Sequence, residues 1–314
     1  MKKLVLALVA FVGLWCLPAS AGQAEPEACP PSASDAKERF AEAALQPRDR
    51  GFLWRIQRDG RSSFIYGTMH VGKAEWMSPG PAMRSALRQV DTVALEVDMT
   101  SAEAQHQIRQ LASRPRREIP QALYQRLERH WVAECLPLAH LNSGPVELQA
   151  ITMMALLGRR QGFDPAYASE AMLTLLAKAG NLPVVSLESL DAQLNLFLAS
   201  DDADATETVS QTLDQLEKPQ TRKMQEKLAG AWERSDLKVL ERYQDWCDCI
   251  HTERERADMK QLLDDRNPGF ADGIERLHAS GQRVFAAVGA LHMTGPLALP
   301  RLLAERGFSV RRLH

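Results

Sequence analysis

Apolar and polar residues follow two different spacings along the chain, and the changes between them predict the order of strands and helices. Two β-prone segments, FLWRIQR and SSFIYGTMH, surround Asp59-Gly60, a pair typical of a tight turn between antiparallel strands. A helix is predicted in SPGPAMRSALRQVD, with Ser78 as its cap and Pro81 in its first turn. The short apolar segment TVALEVD then predicts a strand that ends on Glu96.

Helical spacing of apolar residues dominates the middle of the chain. It predicts helices in SAEAQHQIRQLA, QALYQRLERHWVAEC, VELQAITMMALLGRRQG and SEAMLTLLAKAG. The segment LPVVSLES predicts a strand that ends at Glu188, and a long, charged helical stretch follows from about 190 to 266. After it we expect a helix in GFADGIERLHASG, a strand in RVFAAVGALH, a helix in LALPRLLAERG and a last strand in FSVRRL.

The predicted strands lie at the two ends of the chain and around Val184, with helices between them. This distribution predicts an α/β or α+β domain with one sheet. We take it as α/β, a single mixed β-sheet flanked by helices with a long helical insertion in the middle of the chain. The domain is predicted at 49–314, with the insert at about 190–266, after a flexible lead-in at 22–48.

Composition and charge exclude some partners but leave the predicted fold unchanged. The 314 residues are 45% hydrophobic, enough apolar material for a sizeable core. A formal net charge of -2 indicates neither nucleic acid nor an anionic membrane surface as a partner, and 6% aromatic residues provide few surfaces for base stacking. A peptide or protein substrate remains a candidate partner, and the sequence does not indicate an oligomeric state.

The first residues have the pattern of a secretory signal peptide. A basic start, a short apolar core and Ala-Ser-Ala before Gly22 predict a signal peptide at 1–21 that is cleaved after Ala21. The apolar run is too short for a spanning helix, and bulky Trp15 disfavours lipid attachment at Cys16. We therefore expect an exported protein with no stable membrane anchor after cleavage, located in the periplasm if the source is bacterial.

Cleavage would leave four cysteines, Cys29, Cys135, Cys247 and Cys249. In an oxidising compartment they permit two disulfide bonds, with three possible pairings. Because a ring closed between Cys247 and Cys249 would be strained, we expect each of them to bond Cys29 or Cys135. A metal-binding or redox role for the Cys-x-Cys pair is the alternative.

Two Gly-x-x-His units give the strongest chemical signal in the sequence. The first ends on His70 in SSFIYGTMHVG and the second on His292 in RVFAAVGALHMTG, each after a predicted strand and before a predicted helix. In α/β sheets, ligands gather at the carboxyl ends of the strands. We therefore expect both histidines to face one cleft, together with the strand-end carboxylates Glu96 and Glu188.

Two imidazoles and a carboxylate are a common ligand set for a catalytic divalent metal with an open coordination position. One of the carboxylates, Glu96 or Glu188, would complete this set with His70 and His292. The remaining carboxylate is a candidate general base for a metal-bound water.

Other polar residues carry weaker signals. Arg266-Asn267 ends a charged helix before Pro268, and the guanidinium is a candidate to clamp a carboxylate or stabilise an oxyanion, with a solvated helix end as the alternative. Four further histidines are expected on polar helical faces: His106, His130, His251 and His278. The sequence contains no His-Glu-x-x-His, Gly-x-Ser-x-Gly or phosphate-loop motif, which disfavours the common zinc-peptidase and serine-hydrolase sites.

Five segments together resemble the TraB/GumN family: LWRI…FIYGTMHVG, ALRQVDTVALEVDMT, LAKAGNLPVVSLESLDAQL, DDRNPGF and VFAAVGALHMTGPLALPRLLAERGFSV. The resemblance runs from about Phe52 to the end of the chain. The family includes the Tiki metalloproteases and pheromone-shutdown proteins, and it is distantly similar to erythromycin esterases and haem-binding lipoproteins. It implies an α/β fold with His70 and His292 at the active cleft and, from the Tiki branch, a peptidase that depends on manganese or cobalt.

The same resemblance carries over further residues. Glu96 matches the carboxylate of LEVDMT, Glu188 matches the Leu-Glu after the middle strand, and Arg266-Asn267 matches an Arg-Asn pair. These matches imply that Glu96 joins the metal ligands and that Glu188, Arg266 and Asn267 are catalytic.

We therefore predict a secreted metal-dependent hydrolase, with peptide bonds as its substrate and manganese, cobalt or zinc as its metal. One alternative is a periplasmic binding or assembly protein that holds haem, metal or a peptide without turnover, with Tyr66 and Met69 lining its pocket. The other is a metal-free, esterase-like hydrolase in which one histidine is the base. The metal-dependent hydrolase requires folding to bring His70 and His292 to the same edge of one sheet.

Overall fold

The computed structural model of the protein describes residues 29–31, 45 and 47–314. The predicted signal peptide at 1–21 lies outside the described residues, as does most of the predicted lead-in at 22–48. Within the described ranges, no helix combines the length and apolar character needed to cross a membrane.

Six strands of the described chain form one mixed sheet, which confirms the predicted α/β fold. The strands are β1 Phe52–Arg58, β2 Arg61–Thr68, β3 Thr92–Leu95, β4 Val184–Ser186, β5 Val284–Gly289 and β6 Ser309–Arg312. Their order across the sheet is β4-β3-β5-β2-β1-β6. The four strands β4, β3, β5 and β2 are parallel, whereas β1 is antiparallel to both of its neighbours.

This strand order places the two Gly-x-x-His units side by side. β5 lies between β2 and β3 in the sheet, and Thr68 at the end of β2 pairs with Gly289 at the end of β5. Every residue of β3 and of β5 is buried, as expected for parallel strands that are covered on both faces. The carboxyl ends of four neighbouring strands therefore meet at one edge of the sheet.

The predicted hairpin is confirmed, and its turn explains the Asp-Gly pair. Asp59 has φ 52° and Gly60 has φ 72°, so both turn residues are left-handed. Two consecutive left-handed residues match the right-handed twist of the flanking strands, and Asp-Gly is one of the few pairs that tolerate them. The turn fixes the pairing of β1 with β2.

Helices surround the sheet and fill the middle of the chain. In chain order they are α1 Pro81–Leu87, α2 Ala102–Ala112, α3 Gln121–Ala133, α4 Leu138–Leu141, α5 Val146–Leu156, α6 Ser169–Ala179, α7 Leu190–Asn195, α8 Asp202–Leu216, α9 Pro219–Glu233, α10 Leu237–Glu241, α11 Tyr243–Trp246, α12 Glu253–Leu262, α13 Asn267–Ala279 and α14 Leu299–Glu305. The helical segments predicted from apolar spacing are confirmed at α2, α3, α5, α6, α13 and α14.

The stretch predicted as an insert contributes to two different apolar clusters. Leu213 of α8 packs with residues of α3 and α5 in a cluster away from the sheet. Leu228 and Trp232 of α9 belong instead to the main core beside the sheet, and the Trp232 indole donates a hydrogen bond to the Gly67 carbonyl at 2.8 Å. α9 therefore packs directly against the end of β2 that leads to the first Gly-x-x-His unit.

The cap of α1 differs from the one predicted. Gly80 is the N-cap residue, and the Asp49 carboxylate accepts hydrogen bonds from the backbone N–H groups of Ala82 at 3.0 Å and Met83 at 3.1 Å. The prediction that Ser78 caps the helix is wrong; its hydroxyl accepts a hydrogen bond from Arg84 at 3.3 Å. The first-turn N–H groups are thus satisfied by a side chain that is distant in sequence.

The disulfide pairing also differs from the expectation. Cys29 is bonded to Cys135, and Cys247 is bonded to Cys249. The expectation that Cys247 and Cys249 would not bond each other is wrong, because Asp248 between them has φ 49°. This left-handed residue turns the chain so that the two Cα atoms lie 5.0 Å apart. With both sulfur atoms in a disulfide, the pair is not a thiolate metal site.

His278 is buried, which corrects the prediction that it lies on a polar helical face. Its Nδ1 lies 2.9 Å from the Ser63 hydroxyl and its Nε2 lies 3.1 Å from the Arg58 carbonyl oxygen. The ring also meets Phe308 edge-on at 5.0 Å between centroids. The last turn of α13 therefore docks on the sheet through a histidine whose two nitrogens both have partners.

Candidate functional site

The site lies where the four parallel strands end. His70 comes shortly after β2, Glu96 directly follows β3, and Glu188 comes shortly after β4. His292 lies in the short 3-10 helix Ala290–Met293 that follows β5. Because these strands are adjacent and parallel, the structure brings all four predicted side chains to the same edge.

Gly289 is the point around which His70, Glu96 and His292 converge. A Cβ atom added to Gly289 would lie 3.3 Å from Glu96 Oε1, 3.4 Å from His292 Cδ2 and 3.5 Å from His70 Nε2. The Gly289 N–H also donates a hydrogen bond to Glu96 Oε1 at 2.6 Å. The two rings and the carboxylate thus surround one position, and the absence of a side chain on Gly289 leaves that position open.

The Arg266 side chain connects the acidic residues to the second histidine. Its Nη2 donates to Glu96 Oε2 at 2.5 Å and to Glu188 Oε1, and its Nε donates to Glu188 Oε2 at 3.2 Å. Its Nη1 donates to the Leu262 carbonyl at 3.2 Å and lies 3.3 Å from His292 Nε2. All five guanidinium N–H groups therefore have acceptors, and none is left for a substrate carboxylate or an oxyanion. The carboxylates that Arg266 holds in this arrangement are Glu96 and Glu188 of the protein itself.

Asn267 fixes the orientation of the second histidine. Its Nδ2 donates to the carbonyl oxygens of His292 at 3.2 Å and of Leu297 at 2.8 Å, which places Oδ1 2.6 Å from His292 Nδ1. Because an amide oxygen only accepts, Nδ1 of His292 must carry the hydrogen and Nε2 must carry the lone pair. Asn267 is fully buried, so it acts through His292 and does not contact solvent.

Electrostatics keep His292 neutral. Burial lowers the pKa of His292 to about 3, and the nearby Arg266 cation acts in the same direction against the opposing effect of Glu96. The side chain is only 4% exposed. At neutral pH the ring therefore presents an unprotonated Nε2 towards Arg266.

His70 has an acidic partner that the sequence analysis missed. Its Nδ1 lies 2.8 Å from Oε1 of Glu170, close enough for an ion pair although the contact is not aligned as a hydrogen bond. Glu170 is the second residue of α6, and the preceding Ser169 ties this helix to the loop before His70. The Met69 N–H donates to the Ser169 hydroxyl at 2.6 Å, and this hydroxyl donates to the Met69 carbonyl at 3.0 Å.

His70 differs from His292 in its protonation state. Burial alone lowers the pKa of His70, but the neighbouring Glu170 carboxylate reverses this effect and raises the pKa to about 9. The His70 side chain is 23% exposed, compared with 13% for Arg266 and 14% for Glu188. At neutral pH the more accessible histidine therefore carries a proton on both nitrogens.

A second residue missed by the sequence analysis joins the two strand-end glutamates. Gln193 of α7 donates from Nε2 to Glu96 Oε2 at 3.1 Å and to Glu188 Oε1 at 3.2 Å. Burial raises the pKa of Glu96, but Arg266 and the two histidines outweigh this effect and hold the pKa at about 2. Burial raises the pKa of Glu188 against the opposing effect of Arg266. Glu96 is thus the firmly ionised member of the pair.

The predicted metal ligands do not form an open donor set in this arrangement. In the described part of the chain, no group of three or more His, Cys, Asp and Glu side chains is placed to hold a metal ion. Nε2 of His292 faces Arg266, and both oxygens of Glu96 accept hydrogen bonds from Gly289, Arg266 or Gln193. A guanidinium at these donors also repels a second cation. As arranged, the residues do not fit a divalent metal ion.

The pocket-lining role proposed for Tyr66 and Met69 does not match their surroundings. Tyr66 is 1% exposed and Met69 is 4% exposed, and both belong to the main core. The Tyr66 hydroxyl donates to the Arg50 carbonyl at 2.9 Å. Packing accounts for both side chains.

Fold and site together define an α/β protein with paired histidines at the carboxyl edge of a mixed parallel sheet. The family model described as TraB/PrgY/gumN matches residues 52–312, nearly all of the described chain. The protein therefore belongs to the TraB/PrgY/gumN family, and the resemblance drawn from the motifs is confirmed. Comparison with curated proteins and with solved structures found no significant match.

Proposed function

We propose that the protein is an exported hydrolase of peptide or ester bonds in which His70 carries out proton transfer. The observation that supports this most strongly is the placement of the His70 ring. Its Nε2 lies beside the open position at Gly289, next to Glu96 and His292, while its Nδ1 contacts Glu170. His70 is also the most accessible of these side chains, so a substrate that reaches the site meets it first.

The charge states suggest how the reaction is divided between residues. Doubly protonated His70 can donate the Nε2 proton to the leaving nitrogen or oxygen as the scissile bond breaks. Glu188, whose pKa is raised by burial, is the carboxylate suited to take a proton from the attacking water. The water oxygen forms the new bond to the carbonyl carbon, and the reaction ends with the acid and the leaving group released.

Two positioning interactions support this division. Glu170 keeps a proton on His70, and the Arg266 guanidinium keeps Glu96 ionised and holds Glu188 in place. Protonation of Glu188 would weaken its pairing with Arg266. Base catalysis by this residue is therefore coupled to a partial release of the guanidinium.

Metal-dependent hydrolysis, the function predicted first from the sequence, is the second candidate. A specific observation favours it: His292 has its Nδ1 hydrogen fixed by Asn267, an arrangement typical of histidines that ligate a metal through Nε2. Metal binding at His292 and Glu96 would require Arg266 to withdraw from both side chains. The non-enzymatic alternative, binding of haem, metal or peptide without turnover, would use the same edge of the sheet.

The test is hydrolysis after removal of metal. Protein treated with a chelator and dialysed is assayed against peptide and ester panels as wild type, as His70→Gln and as His106→Gln, an exposed helical control. We expect chelator-resistant hydrolysis that is lost in His70→Gln and kept in His106→Gln. Activity that chelator abolishes and Mn²⁺ or Co²⁺ restores would support the metal candidate. Stoichiometric haem or metal binding without turnover would support a binding protein, and activity unchanged in His70→Gln would overturn the proposal.

Export is supported separately by the disulfide bonds. Cys29–Cys135 and Cys247–Cys249 both require an oxidising compartment to persist. Cell fractionation of the full chain and of a chain without residues 1–21 tests this point. We expect the full chain to be recovered outside the cytoplasm with no free thiols, and recovery of its thiols in reduced form in the cytoplasm would contradict export.

A further inference from the structure

We infer that the guanidinium of Arg266 is the resident cation of the paired-histidine site, so that a divalent metal ion binds there only when Arg266 is removed or displaced. The inference concerns cation binding and does not depend on the proposed hydrolysis. It assigns the donors that the sequence predicted for a metal to a side chain of the protein itself.

Arg266 already contacts the donors that a metal would need. It pairs with an oxygen of Glu96 and with both oxygens of Glu188, and it faces the unprotonated Nε2 of His292. Carboxylate oxygens and imidazole nitrogen are the donors that Mn²⁺, Co²⁺ and Zn²⁺ share. A guanidinium satisfies the same three side chains by hydrogen bonds and ion pairing.

The charges of the cluster also disfavour a metal ion beside Arg266. Glu96 and Glu188 supply two carboxylates, while Arg266, which forms an ion pair with both, supplies one positive charge. A divalent ion added beside the guanidinium would place two cations within one poorly solvated cluster, where Coulomb repulsion is screened little. Without Arg266, the two carboxylates and the His292 lone pair would lose the one cation that contacts all three side chains.

Arg266 is also held firmly in this position. Its side chain is 13% exposed, and the guanidinium carbon lies 5.1 Å from the centroid of the Phe270 ring. It stands directly before α13, whose first residue, Asn267, is fully buried. Its Nη1 also donates to the carbonyl of Leu262, the last residue of α12. Both ends of the side chain are thus anchored, unlike those of a surface arginine.

The inference is tested by cobalt titration, because Co²⁺ reports its ligands through visible absorption. Wild type, Arg266→Ala and a surface control, Arg283→Ala, are stripped of metal and titrated with Co²⁺. Arg283 is the control because it pairs with a single acid, Asp91, at an exposed position. We expect no saturable absorption in the wild type or in Arg283→Ala, and about one Co²⁺ per chain in Arg266→Ala.

A second measurement identifies the ligands of the gained site. Replacing Glu96 by Gln in the Arg266→Ala chain should weaken Co²⁺ binding by about tenfold or more, since a carboxylate ligand is lost. Co²⁺ should also raise the melting temperature of Arg266→Ala but not that of the wild type. If Arg266→Ala does not fold without metal, Arg266→Gln takes its place, because Gln keeps hydrogen-bond donors while removing the charge.

Two results would overturn the inference. One is a wild-type chain that binds about one Co²⁺ with a spectrum that disappears in His292→Ala, which would show that Arg266 and a metal coexist. The other is a folded Arg266 variant that binds no Co²⁺ at the site. A wild type that binds no metal and also hydrolyses no substrate would contradict the proposed function and leave this inference standing.

Discussion

Replacing Glu170 by Gln is the most informative single perturbation of this site. The substitution keeps the size of the side chain and removes the charge that lies 2.8 Å from His70 Nδ1. Burial favours the neutral form of His70, and Glu170 is the main group that opposes this effect. The pKa of His70 should therefore fall below its ordinary value in Glu170→Gln.

The magnitude follows from the shift in the folded protein. The pKa of His70 rises from 6.5 to about 9. At 1.36 kcal/mol per pKa unit, this shift corresponds to about 3 kcal/mol of differential stabilisation of the protonated ring. That is a large part of the usual free energy of unfolding of a domain, so the effect lies well above the error of denaturant titrations.

The direction with pH is fixed by linkage. Because the folded pKa is above the unfolded pKa, the contribution of His70 to stability is fully present below pH 6.5 and is lost as the pH rises through about 9. The loss of stability caused by Glu170→Gln should therefore be greatest near pH 6. It should shrink by about 3 kcal/mol by pH 10.

Denaturant unfolding of the wild type and Glu170→Gln at several pH values between these limits is the assay. Asp248→Asn is the matched control, since Asp248 Oδ1 lies 3.3 Å from His251 Nε2 and both side chains are more than half exposed. Exposed pairs contribute little, so this control should cost less than about 1 kcal/mol at either limit. A Glu170→Gln penalty that is equal at pH 6 and pH 10 would refute the pairing of Glu170 with protonated His70.

Three further substitutions test separate parts of the structure. Asp49→Ala should lower the free energy of unfolding by about 1 kcal/mol in denaturant titrations because α1 loses its cap, and an unchanged midpoint would contradict the capping role. Gly289→Ala should reduce the rate of hydrolysis because the added Cβ enters the site. The control is Gly269→Ala, whose Cβ meets nothing within 4 Å and should leave the rate unchanged. Equal rates in both variants would count against the open position at Gly289. His278→Ala should lower the free energy of unfolding by about 2 to 4 kcal/mol in the same titrations, because the buried ring loses both of its partners. Substitution of the exposed His251 by Ala should lower it by less than about 0.5 kcal/mol. Similar losses in the two variants would contradict the buried role of His278.

Much of the sheet could be predicted because its signals are local. The Asp59-Gly60 pair defines the hairpin, and the continuous apolar run of β5 marks a strand that is buried on both faces. The two Gly-x-x-His units point to the carboxyl edge because each follows such a strand directly. Strand ends and turns depend on neighbouring residues, and this is why the sequence alone could locate His70 and His292.

The missed residues reach their positions through contacts between distant segments. Glu170 and Gln193 lie in helices without a recognisable motif, and their roles depend on how α6 and α7 pack against the strand ends. Asp49 caps a helix that starts 32 residues later, at Pro81. Burial of His278 likewise depends on the docking of α13 on the sheet. Rules based on residue spacing contain no information about such contacts.

The role of Arg266 shows the same limit at the site itself. The sequence identifies a guanidinium near the acidic residues, but only the arrangement in space shows that all five of its donors are engaged. With these donors engaged, the guanidinium positions Glu96, Glu188 and His292. It also decides whether the neighbouring donors are free for a metal ion.

This edge of the sheet holds one protonated histidine, His70, and one neutral histidine, His292. Nitrogen-15 NMR of the histidine side chains at pH 7, assigned with His70→Gln and His292→Gln, measures both states in one sample. We predict that His292 is neutral with its proton on Nδ1, and that His70 is doubly protonated and titrates at about 9. Two rings that titrate together near 6.5, or a His292 with its proton on Nε2, would contradict the account.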